Sequence, residues 1–181
     1  MIGYMGSGKT TIGKKLARKL NFQFIDMDWF IENRYRKSVN QLFAEKGEEA
    51  FREIEHKVLE EVSSFEHTVI STGGGAPCFS GNMELMNQNG CTIFLKVSVD
   101  DLVNRLNVGK DSRPLLKDKT PEEMRIFVSE SLDKRNPFYN QAQLVFDTGK
   151  MLVKTDIGQI VDDMVLMLSN THKIQIPNEN V

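Results

Sequence analysis

Gly3-Tyr4-Met5-Gly6-Ser7-Gly8-Lys9-Thr10-Thr11 opens the chain and decides its fold. From Gly3 to Thr10 the stretch fits G-x-x-x-x-G-K-[ST] in full. An amphipathic pattern follows at once, with Ile12, Leu16 and Leu20 on one helical face. Glycines in such a loop let successive backbone N–H groups turn inward around an anion, and the helix behind aims its positive end at the same point. Gly6, Ser7, Gly8, Lys9, Thr10 and Thr11 are therefore the expected nucleotide-phosphate set. Lys9 would bring a point charge to the β- and γ-phosphates, and the Thr10 hydroxyl would ligate Mg²⁺ directly.

Short apolar runs alternate with longer amphipathic ones along the rest of the chain. Strands are expected over Gln23–Asp26, Thr68–Ser71, Cys91–Leu95 and Leu144–Phe146, each too uniformly apolar for a sheet with one wet face. Helices are expected over Thr10–Leu20, Glu48–Ser63, Asp100–Leu106 and Thr155–Ser169. A further helix should open at Pro121 behind an N-cap Thr120 and stop before Pro137. The expected class is α/β, a three-layer α/β/α sandwich around a parallel sheet of about five strands. One strand poses a problem. A phosphate loop should follow a buried strand, yet only Met1 and Ile2 precede Gly3. The first strand is thus expected to be truncated: either the natural start lies upstream of Met1, or residues from elsewhere fill the slot. An empty slot would cost ~1–3 kcal/mol for each buried backbone group left unpaired.

The 181 residues suit one domain, spanning 1–181. With 40% apolar and 27% charged residues, the chain can bury a core, and its net charge of −2 argues against a nucleic-acid binder with a generally basic surface. No apolar run approaches a membrane span. Cys78 and Cys91 have no CxxC spacing and fit reduced thiols in a cytoplasmic protein. His56, His67 and His172 show no metal-ligand spacing. The segment 107–119 is polar and basic and reads as a mobile lid, the tail 170–181 as loosely held, and 28–64 as the substrate-binding helices. Trp29 reads as packing beneath the substrate helix.

Other residues narrow the chemistry. Asp26 and Asp28 sit at the end of a candidate strand, where ligands of parallel α/β sheets bind. They could serve a metal and a substrate hydroxyl, or be turn acids facing solvent. Arg52 and Glu55, three apart on a helix, could form a surface ion pair or part of a site. Gly73, Gly74 and Gly75 follow the strand ending at Ser71 and would let backbone approach a ligand closely. Arg113, in the lid segment, is placed to meet a transferred phosphate.

GYMGSGKTT, FIDMD, FREIE, STGGG, RPLL and RNPFY, in this order from Gly3 to about Asp147, resemble the shikimate kinase family of the nucleoside monophosphate kinase-like P-loop proteins. The resemblance implies a five-stranded parallel sheet and transfer of the γ-phosphate of ATP to the 3-hydroxyl of shikimate, a step of chorismate and aromatic amino acid biosynthesis. It implies Mg²⁺ held by Thr10 and, through water, by Asp26. Lys9, Asp28 and Arg113 would be catalytic, with Asp28 accepting hydrogen bonds from the substrate hydroxyls. Arg52 and Arg135 would clamp the carboxylate, Glu55 would orient Arg52, and Gly73, Gly74 and Gly75 would line the substrate. Phe43 and Phe51 resemble the apolar wall of that pocket. The arginine that stacks on adenine in many members is replaced by Leu106, so that role passes to the neighbouring Arg105. The expected ligands are ATP and shikimate, with no nucleic acid or membrane, and the expected state is a monomer. The alternatives are a truncated and defective kinase chain, a non-catalytic nucleotide or shikimate sensor, and a kinase of the gluconate type.

Overall fold

The phosphate loop leads directly into helix α1 (Lys9–Leu20) in the computed structural model, which describes residues 1–79, 81–108, 116, 119–148 and 157–171. Gly8, the N-cap, has φ 99°, a left-handed conformation that a side chain would strain. There follow β1 (Gln23–Asp26), α2 (Met27–Tyr35), α3 (Val39–Ser63), β2 (Thr68–Ser71), α4 (Asn82–Asn89), β3 (Ile93–Lys96), α5 (Val99–Val108), α6 (Pro121–Tyr139), β4 (Leu144–Asp147) and α7 (Ile157–Asn170).

The described residues form two two-stranded parallel sheets. β1 pairs with β2, from Gln23 opposite Thr68 to Asp26 opposite Ser71. β3 pairs with β4, from Ile93 opposite Leu144 to Lys96 opposite Asp147. The slot between the pairs is not empty. Ile2 donates to the Ile93 carbonyl at 2.9 Å and accepts from Leu95 N–H at 3.0 Å. On the other side, Met1 accepts from Thr72 N–H at 3.2 Å, and its amine donates to the Ile70 carbonyl at 2.6 Å. Two residues make a single bridge, Ile2 with Phe94, and are too short for a ladder of their own. Burial, reinforced by the charge of Lys9, pushes the Met1 amine down to about pKa 5.

Alternation along β3 divides the core in two. Ile93 and Leu95 join Ile12, Leu16 and Leu20 of α1 and Ile160, Val161, Met164 and Leu168 of α7. Phe94, with Ile2, faces the opposite cluster, built from α2, α3, α4, α5 and α6. Helices thus cover both faces of the strands. Gly13 lets α1 lie close: a Cβ there would stand 2.7 Å from the Phe24 ring and 2.9 Å from Ser71 Oγ.

Several boundaries differ from those read off the sequence. β3 starts at Ile93, not Cys91. Helices α2 and α3 fill the 28–64 segment expected to be helical, although the sequence pattern gives helix limits there only for Glu48–Ser63, and α4 was not expected. α3 begins at Val39 behind a capping box of Ser38 and Gln41 and breaks at Gly47 (φ 79°), which divides the expected Glu48–Ser63 segment from a leading piece. Pro137 does not stop α6, which continues to Tyr139. A proline near a helix end forfeits one backbone bond, and burial of Tyr139 offsets that loss. Trp29 does not pack beneath the substrate helix but is 51% exposed, with Lys14 Nζ 4.1 Å from its ring centre. α2 buries Met27 and Ile31 instead, and Trp29 falls on the other side of the turn. Thr120 caps α6 as expected, sharing a capping box with Glu123. Of the lid and tail segments, 109–115, 117–118 and 172–181 lie outside the described residues. Among the described residues, no helix is long and apolar enough to cross a membrane.

Beyond Met1 the slot opens into a groove of about 620 Å³ lined by Leu16, Phe22, Thr68, Ile70 and Cys91 among others. A variant with three or four apolar, β-forming residues added before Met1 should pair with the free edges of β2 and β3. It should gain about 1–3 kcal/mol in urea unfolding with little change in the m value. An unchanged midpoint would show that the two-residue bridge already satisfies the slot.

Candidate active site

Asp26, Asp28 and the glycine turn lie at or just beyond the carboxyl ends of β1 and β2, where parallel sheets bind ligands, and α3 and α6 contribute Arg52, Glu55 and Arg135. Lys9, on the first turn of α1, donates to the loop carbonyls of Gly3 at 2.8 Å and Tyr4 at 3.0 Å. Burial lowers its pKa to about 8, opposed by the charges of Asp28 and Asp26. Thr10 Oγ1 donates to Asp26 Oδ2 at 2.7 Å. The other oxygen of Asp26 accepts the Asp28 N–H at 3.2 Å, so one carboxylate caps α2 and ties it to the phosphate loop. A hydroxyl beside a carboxylate is a hard oxygen donor set, which suits Mg²⁺ held mainly by phosphates and water. Ser7 is fully buried, and Thr11 is exposed on α1.

A cavity of about 720 Å³ adjoins this loop, lined by Met5, Asp28, Phe43, Phe51, Arg52, Glu55, Gly73, Gly74, Gly75 and Arg135 among others. The sequence left Arg52 and Glu55 open between a surface pair and a site. The structure makes them part of the cavity: Glu55 is buried at 2% exposure, and its Oε2 accepts from Nη1 of the partly exposed Arg52 at 2.7 Å. Phe43 and Phe51 stack at 4.2 Å between centroids. The Arg52 guanidinium lies 5.4 and 5.7 Å from those rings and 4.8 Å from Phe79. Aromatic faces hold the cation in place and leave its in-plane donors to meet an anion.

Packing explains the three glycines. A Cβ on Gly73 would stand 2.7 Å from Glu55 Oε1 and 2.9 Å from Asp28 Oδ1. One on Gly75 would stand 2.7 Å from Arg52 Nη1. One on Gly74 would reach Arg135 Nη1 and the Gly3 carbonyl, both at 3.4 Å. The turn therefore touches the phosphate loop on one side and the guanidinium pair on the other. Burial raises the pKa of Asp28, with the Asp26 charge adding to it and Lys9 opposing. Burial likewise raises Glu55, against the pull of Arg52.

Arg105 lies behind the phosphate loop, its N–H groups 3.5 Å from the Gly6 carbonyl, 3.4 Å from that of Ser7 and 3.3 Å from that of Thr148. Arg113 lies outside the described residues. Three contributors were missed from the sequence. Tyr4 places its ring 5.1 Å from the Arg135 guanidinium, Phe79 packs on Arg52, and Asn82 donates to the Ala76 carbonyl at 2.8 Å while meeting His56 Nδ1 at 2.6 Å. Tyr4 occupies a free position of the loop motif, and the other two meet their partners only through the tertiary fold.

The Lys9 ammonium attracts phosphate only while protonated. Nucleotide affinity should therefore hold at neutral pH and weaken as pH rises through about 8, approaching tenfold per pH unit above it. Titration calorimetry with MgATP between pH 7 and 9.5 measures this. A flat profile would show that Lys9 does not carry the interaction.

Residues 5–165 match the family described as shikimate kinase. The shikimate kinase of Parabacteroides distasonis is 55% identical over 168 residues, covering 93% of this chain and 97% of that one. The crystal structure of shikimate kinase from Bacteroides thetaiotaomicron superposes with a TM-score of 0.90 at 50% identity, covering 93% of this chain and 96% of that one. Shikimate kinase from Acinetobacter baumannii, solved in complex with shikimate, gives a TM-score of 0.79 at 33% identity, covering 93% and 91%. With its phosphate loop, glycine turn and Arg52–Glu55 pair in these positions, the chain belongs to the shikimate kinase family.

Proposed function

We propose that this chain transfers the γ-phosphate of ATP to the 3-hydroxyl of shikimate, giving shikimate 3-phosphate and ADP. The observation that carries the reading is one contact: the glycine turn that lines the cavity also abuts the phosphate loop, through Gly74 against Gly3 and Met5. An acceptor held in that cavity lies beside the phosphates. This juxtaposition converts a bimolecular reaction into a local one.

Each residue then has a task. Arg52 and Arg135 bind the carboxylate, a planar anion that fits guanidinium forks. Glu55 keeps Arg52 in register, and the stacked pair Phe43–Phe51 covers the apolar face of the ring. Asp28 accepts a hydrogen bond from the attacking hydroxyl. Its raised pKa makes it a better proton acceptor than an ordinary aspartate, although a loose phosphoryl-transfer transition state demands little of a base. Lys9 leaves the loop carbonyls for the phosphates and stabilises the charge that develops there. Thr10 and, through water, Asp26 would hold Mg²⁺, which neutralises phosphate charge when bound. Arg105, with N–H groups engaged by three carbonyls, offers adenine only the flat face of its guanidinium. Arg113 meets the transferred phosphate as the lid closes and excludes water. The rest of the reading is a five-stranded sheet, a monomer and a cytoplasmic location.

A coupled ADP-release assay with MgATP tests this against gluconate and nucleoside monophosphates. Turnover should appear with shikimate alone. Turnover with gluconate would favour the other acid kinase, and ATP binding without turnover would favour a sensor. Arg113→Ala should lower kcat by about 10²–10³ with a small change in shikimate KM, because its contact forms chiefly in the transition state. An effect confined to KM would remove that role. Arg52→Lys keeps the charge but loses the fork, and should raise shikimate KM about tenfold at near-normal kcat. An unchanged KM would leave Arg52 a structural partner of Glu55.

A further inference from the structure

Arg135 and Tyr139 stand four residues apart on α6 and so share a face. Tyr139 is fully buried, its ring 5.0 Å from that of Phe94, and its Oη donates to the Gly74 carbonyl at 2.6 Å. The rest of the glycine turn is held by its own backbone: Ala76 N–H donates to the Gly73 carbonyl at 3.2 Å, and Cys78 N–H to the Gly75 carbonyl at 3.0 Å. A trans peptide sets its carbonyl and the following N–H on opposite sides of one plane. The bond to the Gly73 carbonyl thereby orients the Gly74 N–H. The next plane, between Gly74 and Gly75, is flanked by two residues with no Cβ, the sequence least able to resist a peptide flip. Its carbonyl is gripped by a side chain from α6.

We propose that Tyr139 is a positioning residue for substrate binding: its hydroxyl pins the Gly74 carbonyl toward the core, so that the Gly75 N–H faces the anion held by Arg52 and Arg135. The inference rests on the reading that the glycine turn and Arg135 bind shikimate. Released from Tyr139, the Gly74 oxygen could turn into the cavity, where it would accept a hydrogen bond from a guanidinium and compete with the substrate carboxylate. Burial raises the pKa of Tyr139 well above the working range, so the donor keeps its proton there. Helix α6 thus brings both the cation and the pin to the same turn. Continuation of that helix through Pro137 is what makes the second delivery possible.

Tyr139→Phe keeps the ring and removes the donor. Its shikimate KM and Kd should rise about fivefold to tenfold, the scale of one hydrogen bond, while kcat stays within threefold and KM for ATP within twofold. Val128→Ala, a core change on the same helix, should lower thermal stability and leave shikimate KM unchanged. Arg135→Ala should raise it strongly. An unchanged KM in Tyr139→Phe beside a raised one in Arg135→Ala overturns the pin and leaves the site reading intact. Unchanged values in both overturn the site reading itself. Equal rises in Tyr139→Phe and Val128→Ala would reduce Tyr139 to helix stability and overturn the proposal. A measurement independent of any variant uses ¹⁵N-labelled wild-type protein, in which the Gly75 amide should give one signal that shifts on shikimate addition. Two signals, or none that shifts, would also overturn it.

Discussion

Two residues of extended backbone, Met1 and Ile2, join the two strand pairs of this protein. Their hydrogen bonds reach Ile70 and Thr72 on one side and Ile93 and Leu95 on the other, linking two parallel pairs that share no ladder among the described residues. The β1–β2 pair carries Asp26, Asp28 and the glycine turn, and the β3–β4 pair leads to Arg105 and Thr148. The phosphate loop grows directly out of the bridge. The relative placement of these two strand pairs thus runs through a few backbone hydrogen bonds.

Within that frame, the site works by crowding charges at short range. Lys9, Arg52 and Arg135 face Asp26, Asp28 and Glu55, and each buried charge has an opposite one beside it. Such an arrangement costs desolvation and contributes little net stability, so its rationale is chemical. Lys9 rests on two loop carbonyls, and the Arg52 guanidinium is steadied by rings and by Glu55. Backbone comes this close because residues 73–75 lack side chains. An alanine at 73 or 75 would overlap Glu55 or Arg52.

Elements whose signal is local were legible in the sequence. The loop motif, the α1 stripe of Ile12, Leu16 and Leu20, and the Thr120 cap all survive in the structure, because spacing along the chain determines them. Strands β1 and β2 appear with the expected limits. Less was legible where neighbours decide. Helix α2 has little apolar periodicity and forms because Asp26 caps it and Met27 and Ile31 are buried. The break at Gly47 and the passage of α6 through Pro137 are outcomes of packing that outweigh local preference.

The sequence by itself determined the phosphate loop, the α/β class and the family, since each rests on residue type and spacing. Only the tertiary structure decided that Met1 and Ile2 bridge the two strand pairs and that Glu55 is buried against Arg52. It alone joined Tyr4 to Arg135 and Tyr139 to Gly74. Those are contacts between segments up to about seventy to one hundred and thirty residues apart, and no periodicity in a chain records which distant backbone group a side chain will meet.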